Sequence, residues 1–442
     1  MRTCTSFSRR FWACGAVAWC AALSACGPDS AASRSGASGV TVRDSAGIRI
    51  VENQDSAWTE ATRWRLAEEP DLRIGSLDGS VPGTDWGESV EVRSAGDRLV
   101  VFDMMTSTVR VFDAVGRHER TVELLGEGPN EIRDMAKQTT LGDEAAVWSY
   151  FDERILRVGL SDGDVTASRT VGREWEGLSG LMVVGWLDDG SYVMANTVNP
   201  AELEPGRRVV AAEHHLFSAD GSHEGLVAEL PTTELWKEEG AIAGSVAFAP
   251  QGRARAHRDA LWHSYPAGQA ELTRYVVDTG AVDRSVRLPL YSEPVKPEWV
   301  ARSRRQLQEQ MQPMLDDPNF PASAKQRMQR QMEAQQFADS TASLGEFEVA
   351  TDGSIWIVPS DGELIERQMS TPEGTDMVAW YEEFLETYEQ PYLVVDSAGR
   401  WLGTLTLPPT FVVSEFGEDY LLGTREDEMG VPFVERYPII RP

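Results

Sequence analysis

Short apolar segments of strand length recur along this chain, and turns rich in Asp and Gly separate them. The first clear unit occupies residues 97–132. Within it, 97–102 and 109–114 are rich in β-branched and aromatic residues, which favours β-strands. A tight turn at 114–117 then precedes a third strand-like segment. The pattern predicts a protein built from repeats of short antiparallel strands.

Two families of turns mark the repeat. The first family precedes an apolar strand six times, at 96–97, 142–143, 189–190, 258–259, 352–353 and 417–419. The second family closes the strand that follows, at 113–117, 161–164, 218–221, 277–280 and 396–400. Turns of the first family are twice 46 residues apart and then farther apart, which is typical of β-propeller blades with four strands, A to D. We therefore predict an all-β fold, a six-bladed β-propeller occupying residues 40–442.

The sixth unit ends one strand short of a complete blade. Its strand-like segments are 411–414, 420–423 and 433–437. Either Ile48 to Glu52 or Trp64 to Leu66 can supply the missing strand. We predict that an N-terminal strand closes blade 6, because joining the first and last blades protects two sheet edges that would otherwise be exposed.

The longest connections all join strand B to strand C, or strand D to the next strand A. They are 67–88, 196–208, 231–244, 296–344 and 367–390. In an antiparallel blade both kinds of connection lie at the same face, so we expect the long connections to gather there. Long loops on one side of a regular scaffold are how such folds carry binding sites.

The largest connection contains a predicted helical hairpin insertion at 296–340, between blades 4 and 5. Apolar residues recur at helical spacing on both sides of a break at 316–321, namely Trp299, Val300, Leu307, Met311, Met314 and Leu315 before it and Met328, Met332 and Phe337 after it. A second amphipathic stretch, Met377 to Tyr388, flanks blade 5. We expect both to cover the blade ends. The alternative is an exposed partner groove, since methionine-rich helices adapt to varied partners.

Residues 1–25 have the pattern of a lipoprotein signal peptide. Three arginines precede a mostly apolar run at 11–22 that is too short to span a membrane stably. The segment Leu23 to Gly27 resembles the bacterial lipobox, whose cysteine is acylated after cleavage, so Cys26 is the predicted lipidation site. All four cysteines lie in the first 26 residues, and cleavage leaves Cys26 without an internal disulfide partner. The alternative is an ordinary secretory signal with a cysteine at its border.

Residues 26–39 are rich in Ser, Ala and Gly, so we expect a flexible tether there. Gly27 follows the cysteine, which resembles the enterobacterial sorting rule for the outer membrane. We therefore expect an exported protein that is lipid-anchored in the bacterial envelope, at the outer membrane and facing the periplasm. The membrane is then one partner, through the N-terminal lipid.

The chain is strongly acidic. Its 442 residues carry 41 basic and 70 acidic side chains, a formal charge of −29, and loss of the three signal arginines brings the charge to about −32. Nucleic acid is excluded as an expected partner, because proteins that bind its phosphates need basic surfaces. Such acidity also favours solubility, and we expect a monomer.

Three segments carry a family resemblance: GIRIVEN at 47–53, VRVFDAVGR at 109–117 and GEGPNEI at 126–132. They resemble a family of bacterial six-bladed β-propeller lipoproteins related to NHL-repeat proteins, in which the loop commonly reads GxGPGEF. Asn130 and Ile132 depart from the usual Gly and Phe of that loop. The resemblance implies a fold and an envelope location, and it implies almost no chemistry. The glycines of the loop are expected to serve tight turning with positive φ.

Motifs for catalysis or metal binding are missing from the sequence. It contains no HExxH, no His/Cys metal spacing and no phosphate-binding loop. The six histidines are His118, His214, His215, His223, His257 and His263. NHL-type lyases hold zinc with histidines around the central channel, and His263 could face that channel or be simply hydrogen-bonded. Asp188-Asp189 and Asp316-Asp317 could contact calcium, but turn and linker roles fit their context better. We expect no metal and no cofactor, and no catalytic residue is assigned.

Two functional hypotheses remain open. In the first, the protein is a membrane-anchored binding or scaffold module that holds a protein, peptide or glycan on the loop-rich face. In the second, it is a metal-assisted hydrolase or lyase with its site at the mouth of the channel. The sequence favours the first hypothesis, because the second needs converging metal ligands that the sequence does not reveal.

Overall fold

The computed structural model describes residues 34–35, 39–76, 80–87, 89–171, 180–196, 198–199, 201–239, 243–360, 362–370, 380, 384, 387–427 and 429–442. Within these ranges the chain forms six β-sheets, and the innermost strands of successive sheets contact one another around an axis. The repeat pattern is thus confirmed as a six-bladed β-propeller.

Five short strands precede the first blade. They are β1 (Arg34–Ser35), β2 (Val40–Ser45), β3 (Ile48–Asn53), β4 (Arg65–Leu66) and β5 (Leu72–Ile74). The last two pair with the final strand of the chain, and the first three extend another blade.

The blades themselves follow in chain order, each numbered from its innermost strand outward. Blade 1 contains β6 to β9 (Val90–Ala95, Arg98–Asp103, Thr108–Asp113, His118–Glu123), and blade 2 contains β10 to β13 (Lys137–Leu141, Glu144–Ser149, Arg154–Gly159, Val165–Thr170). Blade 3 contains β14 to β18 (Met182–Trp186, Tyr192–Ala195, Gly206–Phe217, His223–Lys237, Gly244–Ser245). Blade 4 contains β19 to β22 (Arg253–His257, Ala260–Ser264, Gln269–Val276, Val282–Tyr291). Blade 5 contains β23 to β26 (Leu344–Val349, Ile355–Pro359, Pro391–Val395, Trp401–Thr406), and blade 6 contains β27 to β29 (Phe411–Phe416, Tyr420–Glu426, Pro432–Ile440).

The core lies between neighbouring blades. Strands B and C are apolar on both faces, because each sheet is covered by a blade on either side. Between blades 1 and 2, for example, the fully buried side chains belong to one cluster, which includes Val100, Phe102, Val109, Ala145, Val147 and Leu156. The outer strand D of blade 1 alternates instead, with every second residue of β9 exposed.

Ring closure uses a strand that the sequence placed inside a connection. Leu72–Ile74 pairs antiparallel with β29, with Ile74 opposite Val434, and buries Leu72 and Ile74. Arg65–Leu66 pairs with the end of the same strand. The other segment that the sequence offered for closure lies elsewhere, because Ile48–Asn53 pairs in parallel with β22 on the outer edge of blade 4. Local β-propensity could not separate these segments, since each is short and mixes apolar with charged residues.

A carboxylate also joins the first and last blades. Glu415, on the innermost strand of blade 6, accepts hydrogen bonds from the Ser94 backbone N–H of blade 1 (2.8 Å) and from the Ser94 hydroxyl. The Tyr420 hydroxyl donates to the same carboxylate at 2.5 Å. Glu415 is 7% exposed, and burial together with this carboxylate raises the pKa of Tyr420. We call these three residues the closure latch.

The helical insertion between blades 4 and 5 is confirmed. Helix α1 spans Pro297–Asp316 and helix α2 spans Ala322–Glu333, with a Pro-containing turn between them. A third helix, α3 (Gly362–Ser370), lies between β24 and β25. Most of the predicted amphipathic stretch from Met377 to Tyr388 lies outside the described residues. Of its aromatic residues, Trp380, Phe384 and Tyr388 are described and stack on one another in series.

The two faces of the propeller differ in the length of their connections. The A–B and C–D turns, which include all six predicted turns of the first family, define the turn face. The B–C and D–A links define the opposite, long-link face, which carries α1, α2 and α3. Part of one predicted link, 231–237, belongs to strand β17 instead. Strand β15 pairs with only four residues of β16, whereas β16 and β17 continue to pair beyond them. This extended hairpin also ends at the long-link face.

Candidate functional site

The base of the α1–α2 hairpin is fixed by one tryptophan. Trp299 is 1% exposed and lies 6.3 Å from the ring of Phe248, which follows blade 3. Its indole N–H donates to Glu366 Oε2 of α3 at 3.1 Å, and Lys296 forms an ion pair with the same carboxylate. The hairpin is therefore held between a segment after blade 3 and a helix inside blade 5.

The far side of the base is held by blade 3 as well. Ala247 and Phe337 form a parallel bridge, and Gln335 Nε2 donates to the Ser245 carbonyl oxygen at 2.9 Å. Arg207, near the end of the extended β16–β17 hairpin, donates to the Phe337 carbonyl oxygen at 3.2 Å. Backbone contacts of this kind fix the position of the hairpin on the long-link face.

Beyond this base the two helices leave the propeller surface. Only Trp299 and Arg302 are buried in α1, and no residue of α2 is buried. The helices enclose a cleft of about 410 Å³ whose lining is mainly apolar, with Leu307, Met311, Met314, Phe320, Met328 and Met332 on its walls. We call it the methionine cleft. Its side chains pack on one another, and the blades do not cover them.

The hairpin differs in charge from the rest of the chain. Residues 297–333 carry six basic and five acidic side chains, whereas the whole chain carries 41 and 70. One of the basic residues, Arg327, lines the methionine cleft, and Arg305 lies on the outer face of α1. The hairpin is thus a slightly basic projection on a strongly acidic protein.

The mouth of the central channel opens on the same face, because every A strand begins there. Counted back from the A–B turns, corresponding positions of the six A strands form a mouth ring of Glu91, Lys137, Met182, Arg253, Glu346 and Val412. Two residues farther along each strand lies an inner ring of Arg93, Thr139, Val184, Arg255, Glu348 and Ser414. Most of the charged members are partly exposed in the channel, whereas the neighbours that alternate with them, such as Val92 and Phe347, are buried between blades.

Ion pairs connect the channel charges of blades 4 and 5. Arg255 donates to Glu348 at 2.7 Å and to Glu346 at 3.1 Å, and Arg253 donates to Glu346 at 2.5 Å. In blade 1, Arg93 Nη2 pairs with Glu91 of the same strand at 3.2 Å. The Nε of Arg93 is buried without a hydrogen-bond partner among the described residues.

Lys137 of blade 2 lies among these charges. Burial lowers the pKa of Lys137, and Arg255 and Arg93 lower it further, whereas Glu348 and Glu91 oppose the shift. Blades 2 and 5 are opposite each other in a ring of six, so an electrostatic interaction between Lys137 and Glu348 means that both side chains reach toward the axis. The ammonium group of Lys137 has no hydrogen bond or ion pair within the described ranges.

The histidines do not form a cluster at the channel mouth. His263 is buried in strand B of blade 4, and its Nε2 donates to the Pro231 carbonyl oxygen at 2.9 Å. His214 is buried in β16, and burial lowers its pKa to about 4. His215 Nδ1 lies 3.1 Å from His223 Nε2 in blade 3, while His118 Nε2 lies 2.9 Å from the Thr121 hydroxyl. His257 ends β19, and burial lowers its pKa.

No group of three His, Cys, Asp or Glu side chains within the described part of the chain is arranged to hold a metal ion. The carboxylate pairs have structural roles. Asp189 accepts hydrogen bonds from Ser191 in the A–B turn of blade 3, and Asp317 accepts one from the Asn319 N–H between the helices. The metal-assisted hydrolase hypothesis therefore has no set of ligands in these residues.

The GEGPNEI loop seals a link between blades. Ile132 is fully buried, and Leu125 and Ile132 form a bridge that folds the loop back on itself. The expectation of positive φ at its glycines is wrong, because neither Gly126 nor Gly128 adopts it. The Glu131 carboxylate lies against both glycines and accepts a hydrogen bond from the Gly128 N–H at 2.8 Å, and a Cβ at Gly126 would require this flexible side chain to move. Arg154 then donates to the loop carbonyl oxygens.

The predicted lipidation site, Cys26, lies outside the described residues. No described helix combines the length and the apolar composition that crossing a membrane requires.

The charged channel was missed by motif-based reasoning. A signal for it is present in the sequence, because charged residues alternate just before the A–B turns in three units: Glu91 and Arg93, Arg253 and Arg255, and Glu346 and Glu348. Charged residues spaced two apart at the same place in several repeats indicate one lined surface. Only the closed ring shows that the surface is the axis.

The comparison with protein families agrees with this architecture. The profile of the DUF5128 family, described as a six-bladed β-propeller, matches residues 86–165, which span blade 1 and the first three strands of blade 2. No curated protein matches the chain. Among solved structures, a member of the DUF4221 family from Bacteroides vulgatus has a TM-score of 0.50 at 9% identity, covering 87% of this chain and 100% of its own. A protein described as exported, from Bacteroides fragilis, has a TM-score of 0.47 at 10% identity, covering 89% of this chain and 99% of its own. The chain is a six-bladed β-propeller whose residues 86–165, in its first two blades, are similar to the DUF5128 family.

Proposed function

We propose that this protein is an envelope-anchored binding module whose long-link face holds a protein partner. The observation that carries the proposal is the methionine cleft, because its apolar walls project from a rigid scaffold and are not covered by the blades. A hairpin that served only to cover the blade ends would bury its apolar residues against them.

The charge of the hairpin indicates the kind of partner. Its basic side chains outnumber its acidic ones, and Arg327 lies at the cleft itself. A groove between two helices fits the apolar face of a third helix, and methionine side chains adapt to the shape of the partner. The occupant that fits both properties is an amphipathic helical segment flanked by acidic residues. The remainder of the protein, which is strongly acidic, would repel such a segment everywhere else.

The envelope location rests on the signal-like N terminus and on Cys26. Acyl chains contribute about 0.8 kcal/mol per buried methylene, so several chains hold a protein to a membrane essentially permanently. Cys26→Ser should therefore release the protein from the membrane fraction and remove its lipid, as fractionation and mass spectrometry would show. A Cys26→Ser protein that remained acylated and sedimented with membranes would contradict the anchor.

Synthetic peptides test the binding surface directly. One labelled peptide of about 16 residues, which is more than four helical turns, presents Leu and Met at helical spacing with Glu on its flanks. A second keeps the apolar face and replaces each Glu by Lys. Fluorescence anisotropy should show that the acidic peptide binds more tightly, and Met311→Gln with Met328→Gln should weaken it about tenfold, equivalent to 1.4 kcal/mol.

A matched control uses the polar outer face of α1. Gln308→Ala with Gln312→Ala changes the same helix away from the cleft without changing its charge and should leave peptide affinity unchanged. Circular dichroism of both variants checks that the helices persist. Equal binding of the acidic and basic peptides, or equal loss in the cleft and control variants, would refute the proposed surface.

A further inference from the structure

Lysine is scarce in this chain, and three of its four lysines are occupied. Lys237 donates to the carbonyl oxygens of Ala201 and Leu203, and Lys325 donates to that of Leu315. Lys296 pairs with Glu366. The fourth, Lys137, lies at the channel mouth and has neither a hydrogen bond nor an ion pair in the described part of the chain.

The charges of the two channel rings do not balance. They contain four cations, Arg93, Lys137, Arg253 and Arg255, against three carboxylates, Glu91, Glu346 and Glu348. The carboxylates are already used by the arginines, since Glu346 and Glu348 bind Arg253 and Arg255, and Glu91 binds Arg93. One cation, Lys137, is therefore left over, and the Arg93 Nε–H is left without an acceptor.

A partly buried cation is costly unless an anion or a hydrogen-bond acceptor satisfies it. Lys137 and Arg93 belong to adjacent blades, and their charges interact. An anion bound beside Lys137 would satisfy this cation, and Arg93 offers a second donor on the neighbouring blade. The rest of this acidic protein repels anions, whereas this position carries a positive charge that is unpaired among the described residues and attracts them.

The mouth ring also has two apolar members. Met182 and Val412 belong to opposite blades, and both are exposed, at 42% and 65%. They give the channel mouth an apolar contact beside its charges. A ligand with an anionic group and a short apolar part matches both features.

We propose that the mouth of the central channel binds a small organic anion, a carboxylate or phosphate compound with a short apolar part, through Lys137 and Arg93 Nε. The site is separate from the methionine cleft, so each proposal can fail without the other.

Labelling the lysines provides the test. Reductive methylation with ¹³C-formaldehyde keeps the charge of each lysine and gives one NMR signal for each of the four, which single Lys→Arg variants assign. Acetate, butyrate and inorganic phosphate are then titrated in turn. The chloride concentration is lowered as each anion is added, so that the ionic strength stays constant. Only the Lys137 signal should shift and saturate, with butyrate binding more tightly than acetate. The midpoint pH of Lys137 should rise when the anion binds, because the anion favours the charged form.

Variants complete the test. Lys137→Met should weaken butyrate binding at least tenfold as measured by calorimetry, whereas Lys137→Arg should keep most of it. Lys325→Met is the control for loss of a lysine, and thermal melting of each variant checks the fold. A Lys137 signal that ignored all three anions, or a Lys137→Met protein that bound butyrate as the native protein does, would overturn the assignment. Shifts of all four signals together would show non-specific association of the anion with lysines and would overturn it as well.

Discussion

The closure latch is expected to be a large contributor to the stability of the ring. Glu415 is almost fully buried, and its carboxylate accepts three hydrogen bonds, two from Ser94 of blade 1 and one from Tyr420. A hydrogen bond to a charged group contributes about 1.5–3 kcal/mol, and removal of the acceptor leaves buried donors unpaired. Part of this gain offsets the cost of burying the carboxylate. We therefore expect Glu415→Ala to lower the free energy of unfolding by about 3–5 kcal/mol.

Graded substitutions separate the contributions to this loss. Glu415→Gln keeps the shape and one acceptor oxygen but loses the charge, and it should cost about 2 kcal/mol. Tyr420→Phe removes one of the three hydrogen bonds and should cost about 1.5–3 kcal/mol. Urea unfolding followed by tryptophan fluorescence measures each change. Hydrogen exchange at the Ser94 amide, which donates to Glu415, should increase in Glu415→Ala.

The control is Glu418, which lies in the exposed A–B turn of the same blade. Glu418→Ala removes a carboxylate that has no such partners in blade 1, and it should stay within about 0.5 kcal/mol of the native protein. If Glu415→Ala were as stable as Glu418→Ala, the closure latch would not hold the ring, and the argument from buried charged hydrogen bonds would be refuted.

Three other predictions follow from the fold. Deleting residues 40–54 should cost stability without opening the ring, whereas deleting residues 40–74 should abolish cooperative unfolding, because only the longer deletion removes the strand that closes blade 6. Urea titration distinguishes the two deletions, and equal behaviour would contradict the pairing. Trp299→Ala should detach the hairpin base, with faster hydrogen exchange in α1 and a nearly unchanged exchange rate in β7; uniform acceleration in both would contradict a local anchor. Because the pKa of His214 is about 4 when folded and 6.5 when unfolded, the unfolded chain binds a proton first as pH falls, so stability drops from pH 6.5 toward 4. His214→Gln should remove about 2 kcal/mol of the loss between pH 7 and 5, and an unchanged pH profile would contradict it.

The repeat was predictable from the sequence because its information is local. Each A–B turn needs residues that tolerate a tight reversal, and Asp or Gly marks all six places. The α1–α2 hairpin was predictable for a similar reason, since a 3.6-residue period interrupts a chain of period two. Its exposed cleft was not, because apolar spacing is the same whether a helix faces a blade or another helix.

Long-range pairings were beyond the reach of local patterns. Of the two segments predicted to complete blade 6, Arg65–Leu66 pairs with its last strand and Ile48–Asn53 pairs with blade 4, and which edge each segment meets depends on the closed ring. The pairing of Leu72–Ile74 with blade 6 depends on the closed ring as well. The expectation of positive φ at Gly126 and Gly128 was wrong for a related reason, since the path of the backbone there depends on how the loop folds back through the Leu125–Ile132 bridge. The channel rings likewise depend on six strands that are far apart in sequence.

The parallel pairing of β3 with β22 has a geometric consequence for a lipid-anchored chain. It fixes the entry point of the polypeptide at the outer rim of blade 4, where β2 and β1 follow outward. From Cys26 to Arg34 an extended chain reaches at most about 3.4 Å per residue, or roughly 27 Å. With Cys26 acylated, this short segment would keep the rim of blade 4 close to the lipid surface. The α1–α2 hairpin follows the end of β22, the strand beside that entry point. The methionine cleft would therefore bind partners close to the membrane surface and not in the open periplasm.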